Sequence, residues 1–209
     1  VTRLLAYAKG GMSAFYLNNN RGKRSIGLDL GSDEGRHIAL DLCKEADVVV
    51  QNFRPGAMTR LGLDYDAVKV VNPNVIYCTI SGFGPTGPYS DRPLLDPVIQ
   101  GLTGIISRQM NPEIPFPDLV RNLYADKSSA LTAAQAITAA LLVRERSGEG
   151  QYVEIPMLDA CMYFFWPDGM MDQTVIDDDA SPGFLLSSIY SLTECSDGKI
   201  VYYVTSDPM

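Results

Sequence analysis

Short apolar runs of strand length alternate along this chain with longer segments whose apolar residues recur at helical spacing. Residues 25–29, 47–51, 75–81 and 151–156 read as strands. Val48-Val49-Val50 is a continuous β-branched run of the kind a strand buried on both faces requires, and Val75-Ile76-Tyr77-Cys78-Thr79-Ile80-Ser81 is a second. Between them, 32–45, 57–61 and 65–71 read as helices, the first capped by Ser32 or Asp33. Another helix follows Pro97 and runs to 107, and a proline-rich connection then passes through Pro112, Pro115 and Pro117. Residues 127–146, rich in Ala and Leu, form the longest predicted helix, which stops at Gly148; a last helix covers 158–173. Strands separated by helices of this length predict an α/β fold, a Rossmann-like doubly wound parallel sheet.

The pattern changes after residue 176. Asp177-Asp178-Asp179-Ala180-Ser181-Pro182-Gly183 has the composition of a linker, and beyond it residues 188–194 and 199–205 predict a hairpin across Ser196-Asp197-Gly198. The expected organisation is a large α/β domain over 1–176, a linker at 177–183 and the beginning of a smaller α+β domain over 184–209.

Composition narrows the function classes. The 209 residues are 46% hydrophobic and 20% charged, enough to bury a sizeable core. No apolar run reaches the length of about 18 residues needed to span a membrane. The first residues lack a basic stretch followed by an apolar core and a cleavage site, so no signal peptide is read there. A net charge of −8 argues against nucleic acid as a partner. Cys43, Cys78, Cys161 and Cys195 show no metal-ligand spacing, which fits a reduced, cytoplasmic setting, and Cys43 and Cys78 fall in apolar patterns where a thiol serves as a small hydrophobe. The single histidine, His37, sits toward the edge of its helix and reads as a surface residue; this disfavours Ser-His-Asp and Cys-His chemistry and any multi-histidine metal site.

Candidate chemistry gathers at the end of the Val48–Val50 run, where Asn52-Phe53-Arg54-Pro55-Gly56 brings an amide, an aromatic ring and a guanidinium to the crevice beyond the strand's carboxyl end. The bland alternative is a strand-to-turn transition with a solvated arginine. Arg21, Lys23, Arg24, Arg54 and Arg60 form a locally basic set suited to a phosphorylated small molecule. Asp126 opens the longest helix, where a carboxylate suits the free N–H groups and the helix dipole.

Several motifs in series extend this picture: Asn20 through Leu30, Ala46 through Gly56, Arg60-Leu61-Gly62-Leu63, Ser81-Gly82-Phe83-Gly84-Pro85-Thr86-Gly87-Pro88, Asp96 with Gln100, Ala125-Asp126, and Arg144 through Gln151. In this order and near this spacing they resemble the family III CoA-transferases, also called the CaiB/BaiF family. The resemblance runs from about Leu17 to Asp168, thins after Asp172, and implies that the chain is incomplete at both ends. It implies that Asp126 is the nucleophile of an acyl-CoA:carboxylate CoA-transferase, working through an aspartyl mixed anhydride and an aspartyl-CoA thioester, with no metal. A helix N-terminus would then keep the carboxylate ionised and offer free donors to an oxyanion.

The resemblance further implies coenzyme A contacts at Leu28, Asp29, Leu30, Asn52, Phe53, Arg54 and Arg60, and at Leu95 in the segment before Asp96. Phe53 reads equally well as a core residue. Leu30 and Gly31 stand where some members carry a longer CoA-binding side chain. Related α-methylacyl-CoA racemases carry a histidine before the aspartate matching Asp96; Leu95 stands there instead, which favours transferase over racemase. Asp96, ahead of Pro97, reads on its own residues as a helix cap. Expected partners are acyl-CoA, a carboxylic acid and a second copy in an interlocked homodimer; Tyr163, Phe164, Phe165 and Trp166 read as the lining of an acyl pocket or, more commonly at helical spacing, as core or subunit contacts. A CoA-thioester racemase, and a non-catalytic truncated homologue acting as an interaction domain, remain the alternatives.

Overall fold

The computed structural model describes residues 2–5, 7–110, 116–177, 179, 181, 183 and 193–200. It divides into two compact units, 1–39 and 40–209, the division falling within a helix. In the first unit a 3-10 turn at Thr2–Leu4 precedes a two-residue hairpin, β1 (Ala8–Lys9) against β2 (Met12–Ser13), and helix α1 (Ala14–Asn19). Ser13 caps α1, accepting from the Tyr16 N–H at 3.0 Å. Residues 25–29, expected as a strand, have no strand partner among the described residues and form no β element. The next segment turns tightly into α2 (Asp33–Lys44): Ser32 Oγ donates to Asp29 O at 2.7 Å and accepts from Gly35 N at 3.0 Å, so Ser32 is the cap. Gly35 is obligatory here, because a Cβ would stand 2.0 Å from Asp29 O.

The second unit is built on three parallel strands, β3 (Val48–Gln51), β4 (Ile76–Ser81) and β5 (Gln151–Pro156), in the order β3-β4-β5. Between β3 and β4 lie α3 (Ala57–Arg60) and α4 (Tyr65–Val71). Between β4 and β5 lie α5 (Asp96–Leu102), α6 (Ile105–Arg108) and α7 (Tyr124–Ser147), and α8 (Met157–Gly169) follows β5. The register aligns Gln51, Thr79 and Glu154 in one row across all three strands.

Side-chain alternation along β4 explains the two layers. Cys78 and Ile80 face α7 and α8, packing with Ala133, Ala136, Ile137, Val153, Ile155 and Ala160. Tyr77 and Val75 face the other way, toward Val68 and Tyr65 of α4 and Leu40 and Cys43 of α2. Helices thus cover both faces, the doubly wound α/β arrangement expected. The fully buried Tyr77 keeps its phenol satisfied by donating to Leu63 O at 2.8 Å. Gly150 lets the chain cross β4 at the start of β5, since a Cβ would lie 2.4 Å from both Asn74 C and Val75 O.

The single helix expected after Pro97 is two, interrupted at Gly104, whose φ of 78° no ordinary side chain adopts readily. Helix α7 begins at Tyr124, earlier than expected, because its cap comes from elsewhere in the chain. At the far end, β6 (Thr193–Cys195) pairs antiparallel with β7 (Gly198–Ile200). The hairpin therefore exists around Ser196 and Asp197, with Gly198 inside the strand; its outer parts, 188–192 and 201–205, lie outside the described residues. A boundary at 177–183 remains a proposal.

Candidate functional site

The first turn of α7 is organised by a buried carboxylate from another helix. Asp96, only 5% exposed, opens α5, whose cap position is taken by Leu95. Asp96 Oδ2 accepts from the N–H of Ala125 at 2.7 Å and of Asp126 at 3.1 Å. It is a cap, as its residue type suggested, but for α7 rather than for its own helix. Asp96 Oδ1 accepts from Gln100 Nε2 at 2.6 Å. Gln100, itself 1% exposed, also donates to Val120 O and Asn122 O and accepts from Val120 N at 2.9 Å. One carboxamide thereby ties α5 to the segment that enters α7.

Asp126 stands at the third position of α7 and keeps solvent access. Partial burial, and then the Asp96 carboxylate, push its carboxyl above the ordinary aspartate range. Two expectations are corrected here. The helix start does not hold Asp126 low, and the Ala125 and Asp126 N–H groups are not free for an oxyanion, because Asp96 has claimed both. Behind the turn, Cys161 is fully buried with its sulfur 3.1 Å from Ser128 Oγ, and burial raises its thiol. The phenol oxygen of Tyr124 is buried with no hydrogen-bond partner among the described residues, its ring edge-on to Phe164 at 5.9 Å, and burial pushes the phenol up to about 12.

A cavity of about 350 Å³ lies beyond the carboxyl ends of the strands on the Tyr77 face. Its polar floor is the strand row: Gln51 Nε2 donates to Thr79 Oγ1 at 3.0 Å, Ser81 Oγ donates to Glu154 Oε1 at 2.9 Å, and Tyr152 donates to Glu154 Oε2. Phe53, Arg54, Pro55 and Gly56 form part of its wall. Phe53 is 51% exposed, which removes the core alternative for that ring. Gln51 Oε1 accepts from Phe53 N at 2.8 Å and so shapes the turn.

The remaining predicted residues are distributed as follows. Asn52, Arg60, Leu95 and Asp126 do not line the cavity. Gly56 has φ of 74°, and Arg60 Nη1 comes within 3.1 Å of where its Cβ would be. Among the described residues neither Arg54 nor Arg60 is paired with a carboxylate. Leu95 is 74% exposed, at the cap position of α5. Leu28, Asp29 and Leu30 belong to the first unit, where Asp29 Oδ1 accepts from Gly31 N at 3.0 Å. His37 is exposed, as expected, with its Nδ1 2.8 Å from Asp33 O. On α8, Tyr163, Phe164 and Trp166 are exposed and so are not core. The sequence reading did not foresee the Asp96–α7 cap or the Gln51-Thr79-Glu154 row; an acidic residue four before a buried glutamine, and polar residues closing each strand, were the available signals.

The described cysteines are free, no group of them with His, Asp or Glu forms a metal site among the described residues, and no described helix is long and apolar enough to cross a membrane.

The class of the protein follows from its likeness to known proteins. The chain belongs to CoA-transferase family III, whose family model matches residues 1–209. It is 42% identical over 147 residues to the succinate–glutarate CoA-transferase of Agrobacterium fabrum, covering 70% of this chain and 36% of that protein. It is 36% identical over 163 residues to the acetyl-CoA:oxalate CoA-transferase of Acetobacter aceti, covering 78% of this chain and 42% of that one. Among solved structures, a CaiB/BaiF family protein from Brucella suis matches with a TM-score of 0.83 at 35% identity, covering 95% of this chain and 54% of that protein. The chain thus spans about half or less of the proteins it resembles.

Proposed function

We propose that the protein of which this chain forms at least a part transfers coenzyme A from an acyl-CoA to a carboxylic acid, with Asp126 as nucleophile. Membership of a family of CoA-transferases supports the reaction class. The observation that carries the assignment to Asp126 is its carboxyl at the start of α7, solvent-accessible yet raised by partial burial and by Asp96. A carboxylate of raised pKa is the more basic nucleophile.

The chemistry proceeds by four balanced exchanges. The Asp126 carboxylate attacks the donor's thioester carbonyl, the C–S bond breaks, and CoA thiolate leaves behind a mixed anhydride. The thiolate attacks the aspartyl carbonyl, forming an aspartyl-CoA thioester and releasing the donor carboxylate. The acceptor carboxylate then attacks this thioester, giving a second anhydride and CoA thiolate. Attack of the thiolate on the acceptor's acyl carbonyl forms the new acyl-CoA and restores Asp126. Thioester energy is conserved throughout, provided that water is excluded, a task for which the Gly82–Pro88 loop is positioned beside the cavity through Gly84 and Pro85.

For coenzyme A, the guanidinium groups of Arg54 and Arg60, paired with no carboxylate among the described residues, supply phosphate donors, and the half-exposed ring of Phe53 supplies a surface for adenine. Asn52, Leu28, Asp29, Leu30 and Leu95 are the further proposed contacts. Relatives named for succinate, glutarate and oxalate make dicarboxylates the first acceptors to test. The test is initial-rate kinetics of the full-length protein across a panel of acyl-CoA donors and dicarboxylates. Parallel double-reciprocal lines, abolished together with turnover in Asp126→Ala, are expected; intersecting lines, or full activity in the variant, would overturn the assignment.

A further inference from the structure

Gln100 is fully buried, and its carboxamide touches four polar atoms on two segments: Asp96 Oδ1 at 2.6 Å, Val120 O at 3.1 Å, Asn122 O at 3.3 Å and Val120 N at 2.9 Å. Such a group has one rotamer compatible with its partners. Everything it holds leads to Asp126. Asp96 is the cap on the Ala125 and Asp126 amides, and residues 120–122 are the chain that enters α7. We propose that Gln100 is a positioning residue for Asp126, fixing the capping carboxylate and the helix entry together so that the Asp126 carboxyl is held in its reacting position. The inference rests on the reading of Asp126 as nucleophile.

A glutamine suits this role better than a cation. It donates to Asp96 without neutralising it, so the negative charge that faces Asp126 is retained, whereas a lysine or arginine there would form an ion pair and cancel it. The other titratable groups facing this turn are Cys161 of α8, whose thiol burial raises, and Tyr124 at the helix start, whose phenol is up at about 12; both are uncharged at neutral pH. Asp168 of α8 bears on Tyr124. Among the described residues, Asp96 is the charged group that raises the Asp126 carboxyl, after burial.

The test compares Gln100→Met, Gln100→Glu, Asp96→Asn and Asp126→Ala in the full-length protein, each first shown to melt cooperatively. Gln100→Met keeps the volume and removes every polar contact; kcat is expected to fall about 10- to 100-fold with KM for acyl-CoA changing less than about 2-fold. In Gln100→Glu the introduced acid donates to Asp96 only when protonated, so its kcat relative to wild type is expected to climb as pH falls. If Gln100→Met does not fold, this ratio alone decides. In Asp96→Asn the acid limb of kcat moves to lower pH. Wild-type kcat in Gln100→Met, or a pH-independent ratio in Gln100→Glu, would overturn the inference. Asp126→Ala separates the two levels: if it is inactive while Gln100→Met is fully active, only the positioning role fails; if it is active, the nucleophile assignment fails as well.

Discussion

Replacing Asp96 by alanine removes the cap of the longest helix, and the structure sets the size of the effect. The Ala125 N–H is fully buried and, among the described residues, bonded only to Asp96 Oδ2. Stranding it costs about 1–3 kcal/mol. The Asp126 N–H is closer to solvent and turns to water, losing about 0.5–1 kcal/mol. Gln100 Nε2 keeps Val120 O and Asn122 O, so it adds little. Removal of a buried carboxylate, unpaired with any cation among the described residues, returns about 1 kcal/mol of desolvation and repulsion. The net loss is about 0.5–3 kcal/mol, spanning the range for an N-cap substitution and reaching somewhat above it. At about 2–4 °C per kcal/mol for a domain of this size, Tm falls by roughly 1–12 °C. Urea unfolding followed by circular dichroism, with the linear-extrapolation slope checked for constancy, measures it. Asp96→Asn retains an oxygen acceptor and is expected to lose less than half as much. An Asp96→Ala variant within about 0.5 kcal/mol of wild type would refute the claim that α7 is capped from α5.

Other consequences follow from particular contacts. Because the folded Asp126 carboxyl is raised above its unfolded value, folding stability is greatest below the unfolded pKa and declines as pH rises toward the folded one; Asp126→Asn is therefore expected to melt higher than wild type at neutral pH and equally near pH 3, measured by scanning calorimetry. Asp172 behaves oppositely: Arg108 holds its carboxyl below the ordinary range, so the stability the pair contributes is present above the unfolded pKa and lost as pH falls through the folded one, and Arg108→Ala is expected to flatten that part of the profile. Tyr77→Phe strands Leu63 O and is expected to cost about 1–2 kcal/mol, while Tyr124→Phe removes an unpartnered phenol and is expected to be neutral or stabilising by about 1 kcal/mol; paired urea titrations compare them. Gly150→Ala, whose Cβ would overlap Val75 O, is expected to lose far more than Gly148→Ala, where φ of 77° alone costs about 1 kcal/mol.

How far the fold was legible depended on the range of the interaction. The strands β4 and β5 and the helix α4 were readable because local signals agree: β-branched runs bounded by turn residues, and Asp64 capping the Ala67 N–H at 3.1 Å. Residues 25–29 misled because an apolar alternation specifies a strand only where a partner supplies the hydrogen bonds. The start of α7 was misplaced for a related reason: its cap, Asp96, lies 30 residues before Asp126. Arg54 and Phe53 were singled out by residue type at the end of a strand, and Asp126 by the family resemblance. The occupied donors and the raised carboxyl were invisible, since they depend on burial and on where the Asp96 carboxylate of another helix lies.

The most direct test of the account is peptide mapping by mass spectrometry of full-length protein quenched during turnover of acyl-CoA, with Asp126→Ala alongside. An acyl or CoA adduct on the peptide bearing Asp126, convertible by hydroxylamine to a hydroxamate and missing from the variant, is the predicted result. An adduct on another residue that persists in the variant, or turnover that leaves Asp126 unmodified under every quench, would contradict it.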